Sequence, residues 1–178
     1  LLAYALSQTL GQFDRKENDD ASLAMAIYLL GQYNAATVPV TDAQAYKLAD
    51  YIDTQSQQSP DSTLSAQLQL ALAQFELVNG KIKSAKNRAD NVIKLAKSLG
   101  HPSLLCQSLE RSASIALELN RFKEAKNQSC SLIELAFNSH MIEFEGLGYE
   151  RLIETHARRA EWTEAYELID KFYQRCNE

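Results

Sequence analysis

Four alanines stand forty residues apart, at Ala45, Ala85, Ala125 and Ala165, and their surroundings repeat with them. Three positions before the last three come Ile82, Phe122 and Trp162. Four positions after all four come Ala49, Ala89, Ser129 and Ile169, and seven after come Ile52, Val92, Leu132 and Phe172. A small residue followed by others at +4 and +7 traces one stripe of a helix. Each copy therefore predicts a helix whose alanine admits a neighbour at close range, with the large residue three places earlier closing the contact as a wedge. Helix pairs repeated at a fixed interval cannot bury both faces alone and must stack on their successors, which predicts an all-α fold, an α-α superhelix of antiparallel helix pairs.

A second apolar stripe precedes each wedge. It reads Leu64, Leu68, Leu72, Phe75 and Val78 in one copy, Leu105, Leu109, Ala113, Ala116 and Leu119 in the next, and Phe144, Leu147, Leu152, Ile153, Ala157 and Ala160 in the last. Between the two stripes lie "VNGK", "ELNR" and "RRAE", polar turns of the length that joins antiparallel helices. Between copies, "SQQSPDS" and "SLGHPS" place Pro60 and Pro102 in the first turn of the following helix, with Asp61 or Ser103 at its early capping positions. The expected organisation is one continuous solenoid: a degenerate or truncated repeat at 1–38, the second helix of an early repeat at 41–60, and full repeats at 62–100, 102–140 and 142–178.

The stretches "LVNGKIKSAK", "ELNRFKEAK" and "RAEWTEAYELI" resemble tetratricopeptide repeats from the end of the first helix into the second. There a small or polar turn precedes an aromatic residue, and an alanine follows three places on. The likeness covers residues 62 to 178 well and 20 to 60 less well. Two departures accompany it: the period is forty instead of thirty-four, and the family's proline after the second helix is displaced to Pro60 and Pro102 or missing near His140. Longer helices account for both. Lengthened repeats of this kind are similar to those of bacterial regulators, including maltose-type activators and peptide-binding Rap phosphatases, and of sensor regions joined to diguanylate cyclases or histidine kinases.

In residues 1 to 38, "LGQF" and "LGQY" end twenty positions apart, half a period, as consecutive helix ends would. The segment "LAMAIYLLGQY" is apolar nearly all round, which predicts burial on several sides. "DRKENDD" reads as a turn with an acidic helix start at Asp19 or Asp20. The chain starts without Met and in mid-pattern, as a piece of something longer would. Only 6 Gly and 3 Pro in 178 residues support helices almost throughout. A chain of this length folded compactly covers roughly 70% of its extended surface.

The formal net charge of -5 argues against nucleic acid as the main partner, since phosphate binding needs a concentrated cationic field. Residues 81 to 97 are the local exception, with Lys81, Lys83, Lys86, Arg88, Lys94 and Lys97 against Asp90; at helical spacing these form a solvated face. Cys106, Cys130 and Cys176 lack C-x-x-C pairing, so reduced, partly buried thiols are expected and neither disulfides nor a zinc site. That mildly favours the cytosol, while a periplasmic sensor region, which needs no disulfide, also fits. No stretch reaches the roughly 18 apolar residues of a membrane span.

Sequence patterns of catalysis are absent: no phosphate loop, nucleophile elbow, H-E-x-x-H or paired cysteine motif. His101 and His140 sit in turns between repeats and His156 within a helix, without companions at ligand spacing, so no metal, cofactor or catalytic role is expected. Glu143, Glu145, Glu150 and Glu154 read as an exposed acidic face, with Arg158 four places after Glu154 at the spacing of a local ion pair. More informative is the dipeptide Glu110, Arg111 recurring forty residues on as Glu150, Arg151.

The resemblance implies that first helices line a concave groove for an extended or helical peptide. By position it implicates Gln67, Gln74, Gln107, Glu110, Ser114, Glu118, Glu150, Glu154 and Arg158. Such a lining, acidic and glutamine-rich with scattered arginines, prefers a neutral or basic partner. The expected function is a non-catalytic protein- or peptide-binding module, a sensory or scaffolding segment of a larger bacterial signalling protein. The alternative is a homodimerisation platform, using the Leu1 to Phe13 helix and the aromatic "LIDKFYQRC" as uncovered solenoid ends. Nucleic-acid binding through the 81 to 97 lysines ranks below both.

Overall fold

The structure, a computed structural model, describes residues 26–31, 41–58 and 60–177. Seven long helices follow one another among these residues: α1 (Asp42–Ser56), α2 (Thr63–Val78), α3 (Ile82–Ser98), α4 (Pro102–Glu118), α5 (Phe122–Asn138), α6 (Ile142–Arg158) and α7 (Trp162–Cys176). A helical segment at 26–31 precedes them, and the described residues contain no strand. The fold is all-α, of the α-α superhelical type. The Leu1 to Phe13 helix, the Asp19 or Asp20 helix start and most of the 1–38 repeat lie outside the described residues.

Contacts divide the chain into two units, Leu1–Lys81 and Ile82–Glu178. In the first, Ala26, Leu29 and Leu30 pack with Ala45, Leu48 and Ile52 of α1 and with Leu68, Leu72 and Phe75 of α2. Tyr28 faces outward, so the apolar segment around it is not covered on all sides. Tyr46 meets Phe75 edge to face at 5.2 Å, and Lys81 lies over the Tyr46 ring at 4.9 Å. In the second unit each helix from α3 to α7 packs on the next, and α4 also touches α6. That is the stacking a forty-residue repeat of helix pairs requires.

The turns explain how seventeen-residue helices alternate so regularly. A residue with left-handed backbone recurs every twenty positions: Gly80 (φ 73), Gly100 (φ 60), Asn120 (φ 54), His140 (φ 56) and Ala160 (φ 59). At each the chain closes the same pair of hydrogen bonds. The amide of Arg121, for instance, donates to the Ala116 carbonyl at 2.8 Å, and that of Asn120 to Leu117 at 2.9 Å. This Schellman closure satisfies the last carbonyls of one helix, and within the second unit, at 100, 120, 140 and 160, it sets the next helix off in reverse. Left-handed backbone costs an ordinary residue roughly 1–2 kcal/mol. Ala160→Gly should therefore stabilise the protein by about 0.5–1 kcal/mol after the extra freedom of glycine in the unfolded chain is deducted, read as a rise in Tm. A lower Tm would mean that the turn is not left-handed there.

Helix starts differ in part from the sequence expectation. Ser62, not Asp61, caps α2, its hydroxyl accepting from the Ser65 amide at 3.0 Å. His101, not Ser103, caps α4, its Nδ1 accepting from the Leu104 amide at 3.3 Å, with Pro102 in the first turn as expected. Asp61 stands one residue too far out to reach the open amides, and Ser103 already lies within the first turn, so in each helix the residue immediately before it caps.

Ala45, Ala85, Ala125 and Ala165 are all buried, as close helix approach demands. The wedges are unequal. Phe122 packs against Ala116, Leu117 and Ala125, Ile82 is half-buried, and Trp162 is 58% exposed. Forty residues after Ala116 and Leu117 stand His156, its ring held by Glu161 at 2.8 Å, and the small Ala157, so the indole finds no equivalent seat. Leu64 and Val78 are also exposed, at the two ends of α2, and Ala160 belongs to a turn instead of the helix stripe.

Candidate functional site

Two first helices, α4 and α6, lie side by side because the turns return the chain to the same direction after forty residues. Their facing sides carry Glu110, Ser114 and Glu118 on α4 and Glu150, Arg151, Glu154 and Arg158 on α6. Arg151 joins them. Its Nε donates to Glu110 Oε1 at 3.0 Å, one Nη to Glu154 Oε2 at 2.8 Å, and the other lies 3.3 Å from Glu150. The Ser114 hydroxyl donates to the same Glu110 oxygen at 3.0 Å. Two turns along, Arg158 contacts Glu118 at 2.9 Å and Glu154 at 2.8 Å, and donates to the Leu117 carbonyl at 3.2 Å.

These pairs make a ladder whose inter-helix rungs join residues forty or forty-one apart. Burial works against the Arg151 charge, but the carboxylates of Glu110, Glu150 and Glu154 outweigh it and hold the guanidinium above its ordinary value. Arg158 is likewise held up, first by its bond to Glu118. Burial pulls Arg111 down, and the neighbouring Arg151 adds to this against the attraction of Glu110. The face is therefore not a bare acidic surface: four carboxylates are interleaved with Arg111, Arg151 and Arg158.

Of the sequence-predicted residues, the structure brings together Glu110, Ser114, Glu118, Glu150, Glu154 and Arg158. Gln107 is half-buried on α4 one turn before them. Gln67, exposed, and Gln74, half-buried, stand on α2 in the first unit. Arg151, the keystone, stands out in the sequence only as part of the repeated Glu-Arg dipeptide; its signal is the forty-one residue interval to Glu110, one more than the repeat.

Glu145 corrects the picture of a uniformly exposed acidic face. It is buried, with Arg175 Nε 3.4 Å away, and Arg175 in turn lies 5.1 Å over the Phe137 ring. These residues border a cavity of about 470 Å³ between α5, α6 and α7 that also meets Cys130, Tyr149 and Lys171. Within the cationic stretch, Lys86 is taken up by Asp90 at 3.1 Å and by Glu124 of α5. Among the three free thiols Cys106 is buried, and burial pushes it up to about 11; Cys130 and Cys176 are exposed.

The described residues hold no group of three side chains suited to a metal ion and no helix long and apolar enough to cross a membrane. Fold and face together define an all-α helical-repeat protein with an ion-paired surface on its first helices. No protein-family model matches the chain, and no curated protein sequence matches it.

Proposed function

We propose that the chain is a non-catalytic protein- or peptide-binding module, of the tetratricopeptide kind, whose partner lies along the first helices α4 and α6. One observation carries this reading. The two helices present Glu118, Glu150, Glu154 and Arg158 on one partly exposed face, their backbone held in register by side chains that pair across to the neighbouring helix. Such a face is pre-organised, so a partner meets polar groups that lose little rotamer freedom on binding. Because Arg151 and Arg158 already neutralise much of the carboxylate charge, the preferred partner is a neutral or modestly basic segment. The long repeats support a place in a larger bacterial signalling protein, as a sensory or scaffolding segment.

The test starts from a displayed random peptide library selected on the immobilised protein. Enriched peptides should carry lysine or arginine, and Glu118→Lys should weaken them at least tenfold. Glu118 is 48% exposed and contacts Arg158 alone among the ladder arginines, so the variant should keep its helical circular dichroism. Selected peptides that bind wild type and Glu118→Lys equally would sink the assignment.

A further inference from the structure

Two leucines in one repeat become a carboxylate and a guanidinium in the next: forty residues before Glu145 and Arg175 stand Leu105 and Leu135. Both leucines pack into an apolar cluster with Ile93, the counterpart of Ile133. Glu145 instead is 3% exposed and faces Arg175 Nε at 3.4 Å, and with Ile133 the pair borders the cavity of about 470 Å³. Stability does not call for this exchange, because apolar residues in place of a buried ion pair are often as stabilising or more so. The cavity walls are α5, α6 and α7, the counterparts of α3, α4 and α5. The leucines of the earlier site belong to those helices themselves, so the shape of the cavity does not depend on any helix beyond α7.

We propose that this cavity binds a free amino acid with a large apolar side chain. Its size lies within the roughly 300–1,000 Å³ of small-molecule sites. Lys171, one turn before Arg175, puts a second cation on the α7 wall, and Glu134 puts a second carboxylate on the α5 wall. Among the described residues neither Lys171 nor Glu134 forms an ion pair. The Phe137 ring, 5.1 Å from the Arg175 guanidinium, steadies that cation at the cavity edge. Tyr149, Leu152 and Leu168 make the rest of the lining mainly apolar. A ligand carboxylate then faces Lys171 and Arg175, its ammonium faces Glu134 and Glu145, and its side chain lies on the apolar lining. A purely anionic ligand would meet two carboxylates, a purely cationic one two cations, and an uncharged one would take charges out of water without replacing their partners. The cavity shares no residue with the ladder and does not need the peptide-binding reading to hold.

The test is isothermal titration calorimetry of the whole protein with L-phenylalanine and L-leucine as probes. At least one should bind saturably, while phenethylamine and 3-phenylpropionate, which each lack one of the two charges, should bind at least tenfold more weakly than L-phenylalanine. The double variant Glu145→Leu with Arg175→Leu restores the residues of the preceding repeat. It should melt at or above the wild-type Tm and lose at least tenfold in affinity. Lys171→Glu, a change at an exposed position whose folding is checked by circular dichroism, should weaken binding severalfold. Glu118→Lys should leave it unchanged, which separates failure here from failure of the first-helix face. No saturation by either amino acid at about 1 mM, the weak end of specific binding, would overturn the proposal. So would phenethylamine or 3-phenylpropionate binding as tightly as L-phenylalanine, or undiminished affinity in the folded double variant or in Lys171→Glu.

Discussion

Gly148→Val should lower the melting temperature by roughly 6–12 °C, the consequence of about 3 kcal/mol lost from a domain of this size. Gly148 is buried in the middle of α6, where a Cβ would stand 2.7 Å from Ile133 Cγ1, 3.2 Å from the Ile133 backbone nitrogen and 3.3 Å from Leu132 Cγ. Side chains can turn aside, but the backbone of α5 cannot move without opening the α5/α6 interface. Gly148→Ala should be milder, because better helix propensity returns up to about 1 kcal/mol against the same crowding. Gly146 gives the control. A Cβ there meets only the end of the Phe172 ring, nearest at 3.1 Å, and the half-buried ring can swing, so Gly146→Ala should be neutral or stabilising. A valine variant at 148 that melts with wild type would show that α5 and α6 do not approach so closely.

Arg151→Ala should cost about 2 kcal/mol, between the fraction of a kcal/mol typical of exposed pairs and the 3–5 kcal/mol of fully buried ones. Side-chain exposures of 23% for Arg151 and 12% for Glu110 place the pair between those limits. Most of the loss comes from Glu110, left mostly out of water with Ser114 and an Arg111 contact at 3.9 Å. A double-mutant cycle of Arg151→Met with Glu110→Gln should give a coupling above 1 kcal/mol by urea unfolding. Coupling near zero would mean that the ladder is surface decoration. Glu118→Ala, at the exposed end of the ladder, should change stability by no more than about 0.5 kcal/mol.

The two variants probe parts of the molecule that were unequally legible. Gly148 carries no sign of its role in the sequence, since a glycine within a helix reads only as a weak point; the close approach exists only once α5 lies beneath it. The ladder was half legible. Glu110, Glu150 and Glu154 could be placed on first helices by their spacing, and Arg158 by its distance from Glu154. The pairing of Glu110 with Arg151 depends on the rotation and rise from one helix pair to the next, which no single helix encodes. For the same reason Glu145, two places after the exposed Glu143, reads as exposed and lies buried beside Arg175.

Local pattern alone determined the helices and the turns between them, because each rests on neighbours within a turn or two of chain. The left-handed turn residues show how far this reaches: glycine at 80 and 100 and asparagine at 120 suit that backbone, while His140 and Ala160 occupy it by register with the rest. Tertiary structure decided which faces of those helices meet a neighbour. Ser129 is buried and Ile169, its counterpart forty residues on, is not, although hydrophobicity alone would reverse them. Burial belongs to the contact between helices, and a side chain can lower its free energy there only where another helix is present to exclude the water.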